Sequence, residues 1–69
     1  MDAGELEYRP TGKRGYTVLR NGKEIGTVVK TMFDQYRYHD GRGVWGTVMT
    51  FNAATQALVD LDAKAGHHG

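Results

Sequence analysis

One segment of the chain has the spacing of a phosphate-binding loop. Residues 41–46 read Gly-Arg-Gly-Val-Trp-Gly, which matches the G-x-G-x-x-G pattern of nucleotide-binding loops. Such a loop must open a helix, because the first-turn amides of that helix hold the phosphates. Here the residues that follow, 44–48, are mostly β-branched or aromatic and indicate a strand. We therefore interpret the three glycines as turn and bulge residues.

Other kinds of catalysis lack their usual side chains. The chain contains no serine and no cysteine, so the common nucleophiles of acyl transfer are missing. His39 lies beside a predicted turn, and His67 and His68 lie in a glycine-flanked tail, without metal-ligand spacing on any predicted element. Asp60 and Asp62 are two residues apart on a predicted helix and therefore face different directions. We expect a protein that is not an enzyme and that has neither a metal site nor a cofactor.

The basic side chains are concentrated in the middle of the chain. Residues 9–42 contain eight lysine or arginine residues against three acidic ones, a balance of +5, whereas the whole chain carries only +1. Asp2, Glu5 and Glu7 make the first eight residues acidic. This asymmetry predicts a negatively charged partner, either nucleic acid, specifically DNA, or an acidic or nucleic-acid-binding protein.

The size of the chain limits what it can build. Its 69 residues allow one domain with a small core, and without disulfides its stability should be about 3–5 kcal/mol. A homodimer would suit so small a chain. No window approaches the roughly 18 apolar residues that cross a bilayer, and the acidic N-terminus does not resemble a signal peptide. We expect a cytoplasmic protein without a membrane partner; its host, its target and its oligomeric state stay open.

Two turn signals organise the expected sheet. Asn21-Gly22 predicts a two-residue type I′ hairpin, which would pair Val18 with Ile25, and the second strand should continue to Phe33. Asp40-Gly41 predicts another two-residue hairpin, which would set Tyr36 opposite Trp45. In that register Met32 and Met49 share a face with Trp45, while Phe33 and Val48 lie on the other. The periodicity does not decide which face is the core.

A helix is expected after the sheet, over about 51–65. Ala54, Leu58, Leu61 and Ala65 recur at helical spacing and form an apolar stripe. Thr50 or Asn52 is a candidate N-cap, and Gly66 stands where a left-handed C′ residue is favoured.

The expected architecture is a small α+β domain. Three or four antiparallel strands, with hairpins at Asn21-Gly22 and Asp40-Gly41, pack against one C-terminal helix. Residues 16–66 form this domain, and residues 67–69 form a tail. Residues 1–15 should be a flexible segment, in which Leu6 and Tyr8 could add a short edge strand.

The order of elements resembles a known family. A glycine-rich hairpin sheet ending in Thr-Phe-Asn-Ala-Ala-Thr-Gln-Ala-Leu is similar in layout to the arm-type DNA-binding domains of phage and transposon integrases, over about residues 16–65. The matching positions are Trp45 in the sheet, Thr50 as cap, and Ala54 and Leu58 as helix packing residues. Phe51 stands where the family has arginine or lysine. The resemblance implies a sheet that enters the DNA major groove while a helix backs it.

The first functional hypothesis is nucleic-acid binding through a basic sheet face. Basic residues on or beside the predicted strands would contact phosphates, and tyrosines would contact sugars or bases. The candidates are Arg14, Arg20, Lys23, Lys30, Arg37, Arg42, Tyr36 and Tyr38.

The second hypothesis is a protein-binding module. In size and glycine content the chain is similar to small phage accessory and anti-defence proteins, including anti-CRISPR inhibitors. Met32, Trp45 and Met49, with Tyr36, would form an interface patch, because tryptophan and methionine suit such surfaces. Alternatively, this patch is the core beneath the helix. A basic face opposite the helix with a buried Trp45 would favour nucleic acid, whereas an exposed Trp45 among scattered charges would favour a protein partner.

Overall fold

The computed structural model describes residues 5–65 as five strands followed by one helix. The strands pair antiparallel in chain order and form one open sheet. The predicted α+β class, with an antiparallel sheet and a C-terminal helix, is confirmed, although the sheet has five strands rather than three or four. The elements are β1 (Leu6–Thr11), β2 (Gly15–Arg20), β3 (Lys23–Lys30), β4 (Tyr36–His39), β5 (Trp45–Val48) and α1 (Phe51–Ala65).

The edge strand β1 extends the sheet into residues that were expected to be flexible apart from a short edge strand at Leu6 and Tyr8, and it is longer than that expectation. It pairs with β2 over its whole length, from Leu6 opposite Arg20 to Thr11 opposite Gly15. Two hydrogen bonds to Asn21 hold the residue that precedes β1. The Asn21 backbone N–H donates to the Glu5 carbonyl at 2.8 Å, and Asn21 Oδ1 accepts from the Glu5 N–H at 2.9 Å. Among the described residues the sheet therefore begins ten residues earlier than the predicted domain boundary.

The first predicted hairpin is confirmed, but its register changes after two pairs. Asn21 and Gly22 have φ values of 54° and 82°, as a type I′ turn requires. A β-bulge then places Val18 opposite Gly26 instead of Ile25. The predicted Val18–Ile25 pair is therefore wrong. The bulge frees Ile25 from the ladder and lets its side chain join the hydrophobic core.

Strand β3 ends at Lys30 and does not continue to Phe33 as predicted. Thr31 Oγ1 accepts hydrogen bonds from the N–H groups of Phe33 at 3.2 Å and Gln35 at 3.3 Å, and Asp34 adopts a φ of 60°. The threonine side chain thus binds backbone N–H groups that would otherwise be available for hydrogen bonds between strands, and the strand ends. Met32 and Phe33 lie in this turn and are 79% and 77% exposed.

The second hairpin has a longer loop than predicted. Asp40 Oδ1 accepts from the N–H groups of Arg42 at 2.7 Å and Val44 at 3.1 Å, and the Asp40 N–H donates to the Val44 carbonyl at 3.0 Å. The Arg42 N–H lowers the pKa of Asp40 against the opposing effect of desolvation, and the Val44 N–H lowers it further. Gly41 and Gly43 take positive φ values in the loop, and strand β5 begins at Trp45, so the glycine-rich segment leads into a strand, as interpreted from the sequence.

The longer loop reverses the faces of the last strand. Tyr36 lies opposite Val48, and Trp45 lies opposite His39 rather than Tyr36. The partner of Tyr36 has thus moved from Trp45 to Val48, a shift by an odd number of residues. Successive side chains of a strand alternate between its faces, so Tyr36 and Val48 face the helix and Trp45 points to the other side of the sheet. The predicted patch of Met32, Tyr36, Trp45 and Met49 is therefore not formed, either as a surface or as the core.

Helix α1 packs on one side of the sheet, mainly against β3, β4 and β5, and has the predicted bounds. Thr50 is its N-cap, since Thr50 Oγ1 accepts from the Ala53 N–H at 3.1 Å. Leu61 is only half-buried, so the buried stripe is displaced from the predicted one. Gly66 lies outside the described residues, and no helix within 5–65 is long and apolar enough to span a membrane. The core consists of Val18, Ile25, Val28, Ala54, Leu58 and Val59.

Candidate functional site

The order of the strands gathers three connections at one end of the molecule. Successive strands of an antiparallel sheet run in opposite directions, so the β1–β2 turn, the β3–β4 turn and the β5–α1 junction lie together. We call this the groove end. The β2–β3 turn, the β4–β5 loop and the C-terminus of α1 lie at the opposite end, which we call the far end.

An open groove of about 870 Å³ lies at the groove end. It forms because α1 packs mainly against β3, β4 and β5 and leaves part of β1 and β2 uncovered on the same side of the sheet. Its volume is typical of binding sites for small molecules. Aromatic and basic side chains dominate its lining, and we call it the aromatic groove. These side chains are Tyr8, Tyr16, Tyr36, Phe51, Lys13, Arg14 and Lys30.

The rings of the groove are arranged around Phe51, the first residue of α1. Its ring centroid lies 5.2 Å from that of Tyr8, 5.7 Å from that of Tyr16 and 6.0 Å from that of Tyr36, in tilted or edge-on geometry. Tyr8 and Tyr16 remain 40% and 42% exposed. The groove therefore presents two partly open rings on a support of packed aromatic residues, and flat unsaturated groups can stack on such a surface.

The groove also carries a surplus of positive charge. Lys13, Arg14 and Lys30 face one acidic lining residue, Asp34, which leaves a balance of +2. Lys30 Nζ lies 3.7 Å from Asp34 Oδ1. Within residues 5–65, Lys13 and Arg14 have no carboxylate within ion-pair distance. These two cations are consequently accessible to an anionic ligand.

The structure does not gather the predicted nucleic-acid contacts on one sheet face. Arg14, Lys30 and Tyr36 come together in the groove. Arg20, at the far end, is held to the helix, because its guanidinium lies 3.2 Å from Asp62 Oδ2 and both side chains are about four-fifths buried. The basic sheet face that was predicted is therefore divided between the two ends and the two sides of the sheet.

The remaining candidates are also separated. Lys23 lies at the far end beside the β2–β3 turn, and Arg42 lies in the β4–β5 loop, 3.8 Å from Asp40 Oδ2. Tyr38 packs against the core, and a Cβ built on Gly46 would collide with its phenol group. Because its ring is used in this cross-strand contact, Tyr38 is poorly placed to contact a base.

A second feature lies on the side of the sheet that the helix does not cover. Trp45 is 61% exposed there, and the Arg37 guanidinium carbon lies 5.4 Å from its ring centroid, which is a cation–π contact. Met49 is at the groove end, about 13 Å of strand length away from Trp45. Met32 lies in the β3–β4 turn, at the same end. The three residues predicted as a protein interface therefore do not form one patch.

Four of the aromatic and basic lining residues were not predicted from the sequence: Tyr8, Lys13, Tyr16 and Phe51. Two signals were available. Tyr16 lies two residues before Val18 and therefore on the same face of its strand, and the Thr50 cap places Phe51 in the first turn of the helix. The sequence suggested a short edge strand at Leu6 and Tyr8, but it did not show the full six-residue length of β1 or the register that brings Tyr8 beside β2.

The described part of the chain contains no group of three or more histidine, aspartate or glutamate side chains that could hold a metal ion. No known protein family, curated protein or solved structure matches the chain. The layout resemblance to integrase arm domains therefore stays a prediction. Fold and groove together define a small α+β domain with an open antiparallel sheet and a basic, aromatic groove at one end.

Proposed function

We propose that the protein is a non-enzymatic nucleic-acid-binding module and that the aromatic groove is its contact surface. The observation that carries the proposal is the combination, in one groove, of four aromatic rings with Lys13, Arg14 and Lys30. Nucleic acids offer the two complementary features, a negatively charged backbone and flat bases. The proposal keeps the ligand class expected from the basic middle of the chain and moves the binding surface from the sheet face to the groove end.

The proposal is tested by removing the two cations that have no carboxylate partner within residues 5–65. In a Lys13→Ala/Arg14→Ala variant we expect the affinity for a labelled oligonucleotide to fall roughly tenfold or more, since two charge-assisted contacts are lost. The slope of log K against log salt should become shallower by about 1.4 for a single strand or about 1.8 for a duplex. Fluorescence anisotropy at several salt concentrations measures both quantities.

A matched control removes the same charge from the far end. Lys23→Ala/Lys64→Ala deletes two exposed lysines, one beside the β2–β3 turn and one near the end of α1. We expect this variant to bind with nearly the affinity and salt slope of the unmodified protein. If both double variants weaken binding equally, the interaction depends on overall charge and the groove is not the site.

A second candidate function, binding of a protein partner, is favoured by the exposure of Trp45. By the criterion stated above, an exposed tryptophan with scattered charges points to a protein interface, and tryptophan and arginine are the commonest anchors of such interfaces. The partner would contact Trp45 and offer a carboxylate to Arg37. A second copy of this chain is one such partner.

For this candidate we expect Trp45→Ala to abolish capture of the partner, or dimerisation, while the fold is retained because the side chain is mostly exposed. Affinity capture and light scattering measure the two forms of binding, and circular dichroism checks the fold. Met49→Ala is the control, because Met49 is 70% exposed but lies at the groove end. Unchanged capture and mass in Trp45→Ala would exclude the interface.

A further inference from the structure

The rings of the aromatic groove contact one another at a tilt or edge-on and do not stack face to face. Tyr8 and Tyr16 both contact Phe51 at tilted or edge-on angles, so no ring of the cluster is covered by a parallel neighbour. A partly exposed ring of this kind is a stacking surface for another flat ring. The supporting residue Phe51 is held by the first turn of α1 and packs against the core.

In a duplex, base faces are not accessible. They are stacked on their neighbours, and proteins that read duplexes contact base edges, grooves and phosphates. Proteins that bind single strands instead combine a basic groove with aromatic side chains on which unpaired bases stack. The lining of the aromatic groove has both features, since Lys13, Arg14 and Lys30 accompany Tyr8 and Tyr16.

From this arrangement we infer that the ligand is a single-stranded nucleic acid, which places an unpaired base on Tyr8 and Tyr16 while Lys13, Arg14 and Lys30 contact the adjoining phosphates. The inference rests on the proposed function and adds the state of the strand and the role of each side chain. Trp45 lies on the other side of the sheet and takes no part in this binding.

The experiment compares three labelled probes of equal length: an oligothymidine strand of about ten nucleotides, the same strand annealed to its complement, and an abasic sugar-phosphate strand. The abasic strand keeps the phosphates and lacks the bases. Because one stacked base contributes about tenfold to a hundredfold in affinity, the oligothymidine should bind more tightly than the abasic strand by that factor. The duplex should bind no better than the abasic strand.

Two substitutions of Tyr16 separate the contribution of its aromatic ring from that of the rest of the side chain. Tyr16→Leu should reduce the affinity for oligothymidine toward that for the abasic strand, with Tyr8 left as the remaining stacking ring, whereas Tyr16→Phe, which keeps the ring, should bind like the unmodified protein. Circular dichroism checks that each variant is folded. If Tyr16→Leu does not fold, Tyr8→Leu is the replacement test, and the same loss is expected.

Trp45 is the only tryptophan of the chain and serves as an internal reporter. Because it is on the other side of the sheet, its fluorescence should not change when the strand binds. Quenching of Trp45 would place the strand on the open side of the sheet and overturn the inference.

The outcomes distinguish the inference from the proposed function. Equal binding of oligothymidine and abasic strand, or tighter binding of the duplex, overturns the inference and leaves the proposed function standing. Absence of binding to all three probes at low salt overturns both. Binding to anionic lipid vesicles without binding to any oligonucleotide also overturns both. In that case the exposed Met32 and Phe33, together with the neighbouring basic residues, would contact the membrane surface.

Discussion

Leu58→Ala is expected to unfold most of the protein at room temperature. Leu58 is fully buried and lies at the centre of the core between α1 and the sheet. Truncating a buried leucine costs about 2–5 kcal/mol, because transfer energy is lost and a cavity remains. A domain of this size, without disulfides, has a total stability of only about 3–5 kcal/mol. The substitution therefore removes most or all of the free energy of unfolding.

Urea denaturation followed by circular dichroism measures this effect, and Leu61→Ala is the matched control. Leu61 is on the same helix, but it is only half-buried, so the same chemical change should cost about 1 kcal/mol. Equal losses in the two variants would show that the helix packs in a different rotation from the one described.

Gly26→Ala is expected to destabilise the fold by about 3 kcal/mol, at the upper end of the range for overpacking. A Cβ at this position would lie 2.5 Å from Leu58 Cδ2 and 2.6 Å from the His39 carbonyl oxygen. Leu58 is fully buried in the core, and the His39 carbonyl belongs to the neighbouring strand β4. Relief of the contact therefore requires either a shifted helix or a widened β3–β4 pair, and both disturb the core.

Two controls separate this close approach from other effects of the substitution. Gly12→Ala changes a turn glycine with a φ of 69° and open space around its Cβ, so it should cost only the backbone strain, about 1 kcal/mol. Combining Gly26→Ala with Leu58→Val, a milder truncation than Leu58→Ala, should cost less than the sum of the two single variants, because valine lacks the δ-carbons that would meet the added methyl group. Strict additivity would contradict the contact between Gly26 and Leu58.

The sequence alone determined the features of this protein that depend on short-range physics. The Asn21-Gly22 turn follows from two residues that accept positive φ. The bounds of α1 follow from the Thr50 cap and the apolar spacing of Ala54 and Leu58. Each of these signals involves residues within a few positions of one another, so the α+β class could be predicted with the helix in its observed place.

Tertiary structure decided the register of the strands, and with it the two faces of the sheet. Two local contacts contribute to it: the Thr31 and Asp40 side chains accept from backbone N–H groups two and four residues ahead, which sets where β3 ends and how long the β4–β5 loop is. The same backbone groups could instead have continued the strand ladder, so the local sequence did not decide between the two. The bulge at Ile25 exists because its side chain gains burial against α1, a contact between residues far apart in the chain. A register shift by an odd number of residues moves the side chains of a strand to the opposite face of the sheet. The identity of the turn residues alone does not reveal such a shift.

The candidate site is among the features that only the tertiary structure decided. Its residues come from β1, β2, β3, β4 and α1, and they meet only because β1 pairs with β2 and α1 leaves that part of the sheet uncovered. The sequence determined that the middle of the chain is basic and that its aromatic residues are numerous enough for a binding surface. Only the packing of helix on sheet decided that Tyr8, Tyr16 and Phe51 form the groove while Trp45 faces the other way. The reason is that the uncovered area of a sheet depends on where the helix finds its best burial, and that is a property of the whole core.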